Sequence, residues 1–119
     1  MKRNDLISYI QNNYGVSPEY PWDKYPNYVV FRHQGSSKWF ALIMDVSADK
    51  LHEGDSGTII DIVDVKAEPE LVGSLRLKEG VFPAYHMNKE HWITIKLDNN
   101  FSESELKSLI DGSYRLTQK

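Results

Sequence analysis

Residues 83–97 concentrate aromatic and basic side chains in a segment that also contains the clearest strand pattern of the chain. Bases interleaved with aromatic rings can combine attraction to phosphate with stacking on nucleobases. From residue 91 to 97 apolar residues alternate with Trp92, Thr94 and Lys96, the period of a strand with one buried and one displayed face. We therefore expect the displayed face to be free for a partner. The candidate nucleic-acid-binding residues are Lys66, Arg76, Lys78, Tyr85, His86, Asn88, Lys89, His91, Trp92 and Lys96.

The charge distribution restricts where a polyanion could bind. The net charge of −3 argues against a protein devoted to nucleic acid, since such proteins usually carry excess positive charge. Residues 45–70 hold eight acids and two bases, whereas residues 76–96 hold four bases and two acids. Only the later surface suits a polyanion. From these residues alone, solubilising lysines and a Trp92 that covers a core edge form the favoured interpretation.

Metal binding is not indicated by the four histidines, His33, His52, His86 and His91. Imidazole suits divalent metals, but none of these residues falls in a ligand motif, and the chain has no cysteine. We interpret the histidines as exposed or hydrogen-bonded structural residues and expect no metal and no cofactor.

Catalytic chemistry is not indicated either. The chain has no nucleophile elbow, zinc-protease helix or phosphate-binding glycine loop. Asp61 and Asp64 could share a proton, but an offset of three in a strand points them to opposite faces unless a bulge realigns them. We interpret both carboxylates as part of a solvated strand face and expect no enzymatic activity.

The size and composition predict one domain, residues 1–119, that folds by itself. The chain of 13.8 kDa has 40% hydrophobic and 26% charged residues, as ordinary globular domains do. The absence of cysteine is compatible with a reducing compartment, and no long apolar run is present. We expect a cytoplasmic protein that does not bind membranes.

The first half of the chain predicts one helix and three strands. Residues 2–14 have an apolar stripe at helical spacing, and Gly15 is placed to end that helix. Three prolines make residues 16–27 irregular. The predicted strands are residues 28–34, 38–46 and 58–66. Phe40, Leu42 and Met44 should share one face of the second strand, with Trp39, Ala41 and Ile43 on the other.

Two further features of this half are expected from the pattern. Residues 49–57, polar with two glycines, should form a mobile turn. The apolar phase of the third strand shifts at Ile62 and Val63, which predicts a β-bulge.

The second half predicts two helices with strand structure between them. Pro69 suits the first turn of a helix that buries Leu71, Val72 and Leu75 and stops at Gly80. Ser102 and Glu105 form a capping box, and Phe101 can pack on Leu106 in the next turn. The order α-β(3)-α-β(1–2)-α with short connections predicts an α+β fold, a two-layer arrangement of a largely antiparallel sheet packed by helices.

Several motifs resemble the MmcQ/YjbR family of small bacterial proteins. The clearest is His-Trp-Ile-Thr-Ile at residues 91–95, preceded by residues 83–89. Residues 38–41, 65–70 and 109–114 resemble further motifs of that family, so the resemblance covers nearly the whole chain. Ser37 and Ala67 depart from it, replacing a usual glycine and cysteine. The matched positions are Lys66, Pro83, Tyr85, His86, Asn88, Lys89, His91, Trp92, Ser113 and Tyr114.

The resemblance implies a CyaY-like or secretion-chaperone-like fold and, through a proposed double-wing arrangement, DNA binding without enzymatic activity. Because the chain has few clustered bases, we expect its binding to duplex DNA to be weak. At most about five phosphate contacts would give a log–log salt slope no steeper than about −4.5. Iron binding, known for frataxin-type proteins of similar architecture, is not implied, because residues 2–14 carry no ridge of carboxylates.

Two other functions compete with DNA binding. One is a protein-interaction module or homodimer, in which Trp22, Tyr25, Tyr85 and Trp92 form an exposed aromatic patch. The other is an enzyme, which a pocket containing a histidine of perturbed pKa at position 86 or 91 would indicate.

Overall fold

The computed structural model describes residues 1–118, which form three α-helices, a short 3₁₀ helix and five strands. The helices are α1 (Arg3–Tyr14), α2 (Pro69–Leu75) and α3 (Glu103–Leu116), and the 3₁₀ helix is Ala48–Leu51. The strands are β1 (Val29–Arg32), β2 (Trp39–Ser47), β3 (Ile59–Lys66), β4 (Val81–Pro83) and β5 (Trp92–Lys96). Among these helices, none combines the length and apolar character needed to cross a membrane.

The strands form one antiparallel sheet in the order β1-β2-β3-β5-β4. All three helices pack on the same face of this sheet. Leu6, Ile10, Val72, Leu106 and Ile110 from the helices share one buried cluster with apolar residues from the strands. The predicted α+β fold is confirmed. The predicted strands 28–34 and 38–46 agree with β1 and β2 to within two residues at each end.

The helix ends follow local chemistry. Gly15 ends α1 with φ of +66°, and its N–H donates to the carbonyl of Gln11 at 3.0 Å. Ser102 caps α3, because its Oγ accepts from the N–H of Glu105 at 3.2 Å. The carboxylate of Glu105 pairs with Lys78 at 2.9 Å, so the predicted capping box is formed on one side. Two predictions for α2 were wrong: half of the surface of Leu71 is exposed, and the helix ends at Leu75 rather than at Gly80.

The β-bulge lies in β2, and the prediction of one at Ile62 and Val63 is wrong. β3 pairs with β2 without interruption from Ile59 to Val65, and its adjacent apolar residues mean that both strand faces are buried. In β2, Phe31 pairs with Ala41 and Arg32 pairs with Trp39, which leaves Phe40 as the extra residue.

The bulge changes the face of the sheet on which the side chains before it lie. Phe40 and Ala41 both pack on the helix side, while Trp39 turns to the opposite face with Leu42 and Met44. The predicted grouping of Phe40 with Leu42 and Met44 is therefore wrong, because a bulge breaks the alternation of period two.

The face of the sheet without helices, called here the helix-free face, carries a second buried cluster. Its members come from the strands, from Leu51 of the 3₁₀ helix and from two irregular segments, residues 16–28 and 84–91, that lie over it. Thr94 is completely buried beneath the second segment, so the prediction of a displayed Thr94 is wrong. The predicted turn at residues 49–57 begins within a 3₁₀ helix whose Ala48 and Leu51 are buried.

Ser113 joins α3 to the bulge. Its Oγ donates to the carbonyl of Phe40 at 2.6 Å and accepts from the N–H of Lys66 at 2.8 Å. Backbone groups at a bulge and at a strand end lack ladder partners and cost free energy when buried without one. Ser113, a position matched to the family, therefore maintains the fold.

Replacing Ser113 with alanine leaves these two backbone groups without their partner. We expect Ser113→Ala to lower the free energy of unfolding by about 2 kcal/mol, measured by urea denaturation. Ser108→Ala is the control, because Ser108 is exposed on the same helix, and its effect should stay within about 0.5 kcal/mol. Equal effects of the two substitutions would contradict the structural role of Ser113.

Candidate functional site

A cavity of about 370 Å³ opens on the helix-free face. Cavities of this size and apolar character are typical of binding sites for small molecules or for single side chains of a partner. We name it the aromatic cavity, and its lining consists of Trp22, Tyr25, Tyr28, Trp39, Leu42, Met44, His86 and Met87.

The proline-containing segment, residues 16–28, forms one wall of the aromatic cavity. It is fixed to the edge of the sheet by two backbone hydrogen bonds between Glu19 and Val30, at 2.9 and 3.0 Å. The carboxylate of Glu19 also pairs with the guanidinium of Arg32. These contacts hold an irregular segment in place, and so Trp22 lies over β2 without a helix or strand to support it.

The aromatic rings of the cavity contact one another in preferred geometries. The ring centroid of Trp22 lies 5.7 Å from that of Trp39 and 5.9 Å from that of Tyr28, both nearly perpendicular. Tyr25 stacks on Tyr28 at 4.7 Å. Such edge-to-face and stacked pairs stabilise the walls beyond simple burial. The cavity is thus built before any partner arrives.

Residues 84–91 form the opposite wall. The N–H of Tyr85 donates to the Oγ1 of Thr94 at 2.9 Å, and Arg76 donates to the carbonyl of Lys89. His86, which lines the aromatic cavity, has φ of +64°, and its ring lies 4.0 Å from that of Tyr85 between centroids. Non-glycine residues in this left-handed region are uncommon and often mark binding sites.

Asp64 is a fully buried carboxyl group on the same face of the sheet. Its Oδ1 accepts a short hydrogen bond from Thr94, while its Oδ2 is buried without a partner among the described residues. Burial raises the pKa of Asp64 to about 8, although the bond from Thr94 and the charge of Lys89 act in the opposite direction. The interpretation of Asp64 as solvated is therefore wrong, whereas Asp61 does lie on the other face, paired with Arg3 at 3.1 Å.

The predicted basic residues do not form one free cationic surface. Lys78 pairs with Glu105 on α3, and Lys96 lies 3.7 Å from Glu53. Arg76 is engaged by the backbone of residue 89. Within residues 1–118, Lys66 and Lys89 are the two predicted bases that have neither an ion pair nor such a bond. Glu105 and Glu53, distant in sequence, neutralise Lys78 and Lys96, which residue counts over one segment could not reveal.

The remaining predicted residues have mixed positions. Asn88 accepts from the N–H of Glu90 at 2.7 Å, which closes the turn before β5. Trp92 and His91 are half-buried at the start of β5, and Trp92 pairs with Lys66 across the ladder. In the predicted aromatic patch, Trp22 and Tyr25 meet at the aromatic cavity and Tyr85 packs in the same cluster. Trp92 does not belong to the lining that the described residues form.

The four histidines lie apart. His33 is buried, and its Nε2 lies 2.8 Å from the Oγ1 of Thr117. Burial lowers the pKa of His33. Within the described residues, no three side chains of the ligand types are placed to hold a metal ion.

Sequence reasoning missed five lining residues of the aromatic cavity: Tyr28, Trp39, Leu42, Met44 and Met87. The available signal was the apolar character of both faces of β2, which requires cover on the side away from the helices. For the burial of Asp64, the available signal was its position as an acidic residue within the apolar run of β3.

A model of the YjbR family matches residues 12–116 of this chain. The chain belongs to the YjbR family. The resemblance in the motifs is thereby confirmed. This YjbR-family protein is also 44% identical to YyaQ of Bacillus subtilis over 118 residues, or 99% of each chain. A segment of 54 residues is 41% identical to YjbR of Escherichia coli, covering 44% of this chain and 46% of that one.

Solved structures share the fold of this YjbR-family protein. A crystal structure of a protein from Pseudomonas syringae superposes with a TM-score of 0.95 at 49% identity, covering 98% of this chain and 99% of that one. Protein DR2400 of Deinococcus radiodurans superposes with a TM-score of 0.73 at 27% identity, covering 99% and 79% respectively. These names state no activity, substrate or partner.

The buried carboxyl group predicts a distinctive pH dependence. Because the folded protein holds Asp64 neutral to about pH 8 and the unfolded chain ionises it near pH 4, unfolding releases a proton between these values. The contribution of Asp64 to the free energy of unfolding is therefore full below pH 4 and declines as the pH rises from 4 to 8. The free energy of unfolding of Asp64→Asn, relative to that of wild type, should increase by about 1.4 kcal/mol per pH unit between pH 5 and 7. This difference should level off above pH 8.

The free energy of unfolding, measured by urea denaturation across this range, checks the prediction. Asp23→Asn, which removes an exposed carboxylate, is the control and should give a difference from wild type that does not change with pH. A flat difference for Asp64→Asn as well would show that Asp64 is ionised in the folded protein.

Proposed function

We propose that this YjbR-family protein is a non-enzymatic cytoplasmic binding module whose aromatic cavity receives an apolar side chain of a partner protein. This proposal rests on the composition of the cavity lining, which consists of two tryptophans, two tyrosines, two methionines, one leucine and one histidine. Tryptophan, tyrosine and methionine are enriched at protein interfaces and dominate their binding energy.

The rim of the aromatic cavity supports a protein as the partner. Tyr25 lines the cavity and still exposes 51% of its surface, and nearby in sequence Tyr20 exposes 55%. A small ligand held inside the cavity would leave such rings in water, whereas a partner surface would cover them. Met87 adds an adaptable side chain, which suits a binding surface that adjusts to the incoming group.

The uncharged lining of the aromatic cavity supports recognition through apolar contact. Among the described residues that line the cavity there is no lysine, arginine, aspartate or glutamate. Screening by salt acts on exposed charges, so binding here should change little with ionic strength. This property separates a protein partner from DNA as the occupant.

A selection from a random peptide library displayed on phage tests the proposal. We expect selected peptides to share one aromatic or large aliphatic residue whose replacement by alanine abolishes binding. Tyr25→Ala should weaken a selected peptide by roughly tenfold, and Met87→Glu, which places a charge in the cavity, should abolish binding. Fluorescence anisotropy at low and high salt provides the affinities.

Leu71→Ala is the matched control, because Leu71 exposes 50% of its surface on the opposite side of the sheet. Its affinity for the peptides should equal that of wild type. If the peptides lose affinity with Leu71→Ala and retain it with Tyr25→Ala, the partner binds on the helix side and the proposal is wrong.

A second candidate function is weak binding of duplex DNA at the surface around residues 66–96. It is favoured by Lys66 and Lys89, which have no ion pair within residues 1–118. The expected number of phosphate contacts falls from five to two, because Arg76, Lys78 and Lys96 are engaged within the protein.

A titration of labelled duplex over a range of salt concentrations tests this candidate. Two contacts predict a log–log slope of about −1.8. Lys89→Glu should weaken binding, and Lys38→Glu, which changes an exposed lysine in the connection between β1 and β2, is the control. Affinity that falls equally in both variants would mean that only net charge matters, and undetectable binding at low salt would remove DNA as a partner.

A further inference from the structure

A second cavity, of about 290 Å³, lies beside the aromatic cavity, between the 3₁₀ helix and residues 82–89. We name it the basic pocket. Its size is close to the lower end of the range for small-molecule sites, roughly 300 Å³. It is lined by Lys50, Leu51, His52, Phe82, Pro83, Ala84, Tyr85 and Lys89.

The basic pocket has a substantial apolar part. Leu51 and Ala84 are buried, and Phe82 and Tyr85 are partly buried members of the second cluster. These side chains offer aromatic and aliphatic surface to the body of a ligand. Burial of such surface contributes about 25 cal/mol per Å² of apolar area removed from water.

The basic pocket contains basic nitrogen groups and, within residues 1–118, no acid in its lining. Lys50, His52 and Lys89 are its titratable nitrogen groups, and no carboxylate belongs to the lining that the described residues form. This contrasts with the composition of residues 45–70, which include Lys50 and contain eight acids and two bases in all, and with the net charge of −3. Of the neighbouring acids, Glu53 pairs with Lys96, which lies outside this lining.

The buried carboxyl group beneath Tyr85 does not oppose an anion near neutral pH. Asp64 contacts Thr94, whose Oγ1 also accepts from the N–H of Tyr85. Because burial raises the pKa of Asp64 to about 8, this group carries little negative charge at pH 7.

The backbone on both sides of the basic pocket is held in place. His52 has φ of +58°, and its N–H donates to the carbonyl of Asp49 at 3.1 Å. On the other side, Arg76 donates to the carbonyl of Lys89. A pocket whose walls are fixed in advance loses less entropy when a ligand binds.

We propose that the basic pocket binds a small organic anion in which a carboxylate or phosphate group is joined to an aromatic or aliphatic body. The anionic group contacts Lys50 and Lys89, and the body packs on Phe82 and Tyr85. This ligand and this pocket differ from the protein partner and the aromatic cavity of the proposed function, so either can fail without the other.

Titration with phenyl phosphate and with benzoate, followed by amide shifts of the ¹⁵N-labelled protein, tests the proposal. At least one of the two should saturate the protein at a concentration about tenfold lower than phenol or inorganic phosphate, since each of these has only half of the recognised chemistry. Whichever probe binds tighter identifies the anionic group. The largest shifts should occur in residues 50–52 and 82–89.

Matched lysine substitutions complete the test. Lys50→Met and Lys89→Met should each weaken the tighter probe by roughly fivefold or more, because each removes a charge-assisted hydrogen bond. Lys38→Met, at an exposed lysine outside the pocket, should leave the affinity unchanged. Equal weakening in all three variants, binding no tighter than that of phenol, or shifts centred outside the pocket would overturn the proposal.

Discussion

The sheet of this protein is buried on both faces although helices cover only one of them, and this constraint determines the rest of the structure. Strands β2 and β3 are apolar on both sides, and exposing such surface to water would be costly. Two irregular segments, residues 16–28 and 84–91, and Leu51 of the short 3₁₀ helix provide the missing cover. The aromatic cavity and the basic pocket both lie within this cover.

The bulge in β2 connects the fold to the candidate site. By inserting Phe40 it sends Trp39 to the helix-free face, where the ring meets Trp22 from the proline-containing segment. Ser113 of α3 stabilises the backbone at that same bulge. A residue of the helix layer thus supports the geometry of a cavity on the opposite side of the sheet. Residues 84–89 contribute to the walls of both cavities and rest on Thr94.

The sequence was sufficient to predict the order of elements, because Gly15, Pro69 and Ser102 mark helix ends through local chemistry. It was not sufficient for the site. Burial of Thr94 depends on residues 84–91 folding back over β5, and the loss of free cations depends on partners such as Glu105, far away in sequence. The bulge was predicted in β3 because two buried faces and a bulge give the same pattern of adjacent apolar residues. Contacts between distant segments decided each of these outcomes.

The central claim is that the aromatic cavity exists in the free protein and accepts an apolar side chain. The three methionines test it directly, because Met44 and Met87 line the cavity whereas Met1 packs on the helix side. A titration of ¹³C-methyl-methionine protein with indole, an analogue of a tryptophan side chain, should shift the Met44 and Met87 signals in a saturable manner and leave Met1 unchanged. Equal shifts of all three methyl signals, or none at any of them, would contradict the account.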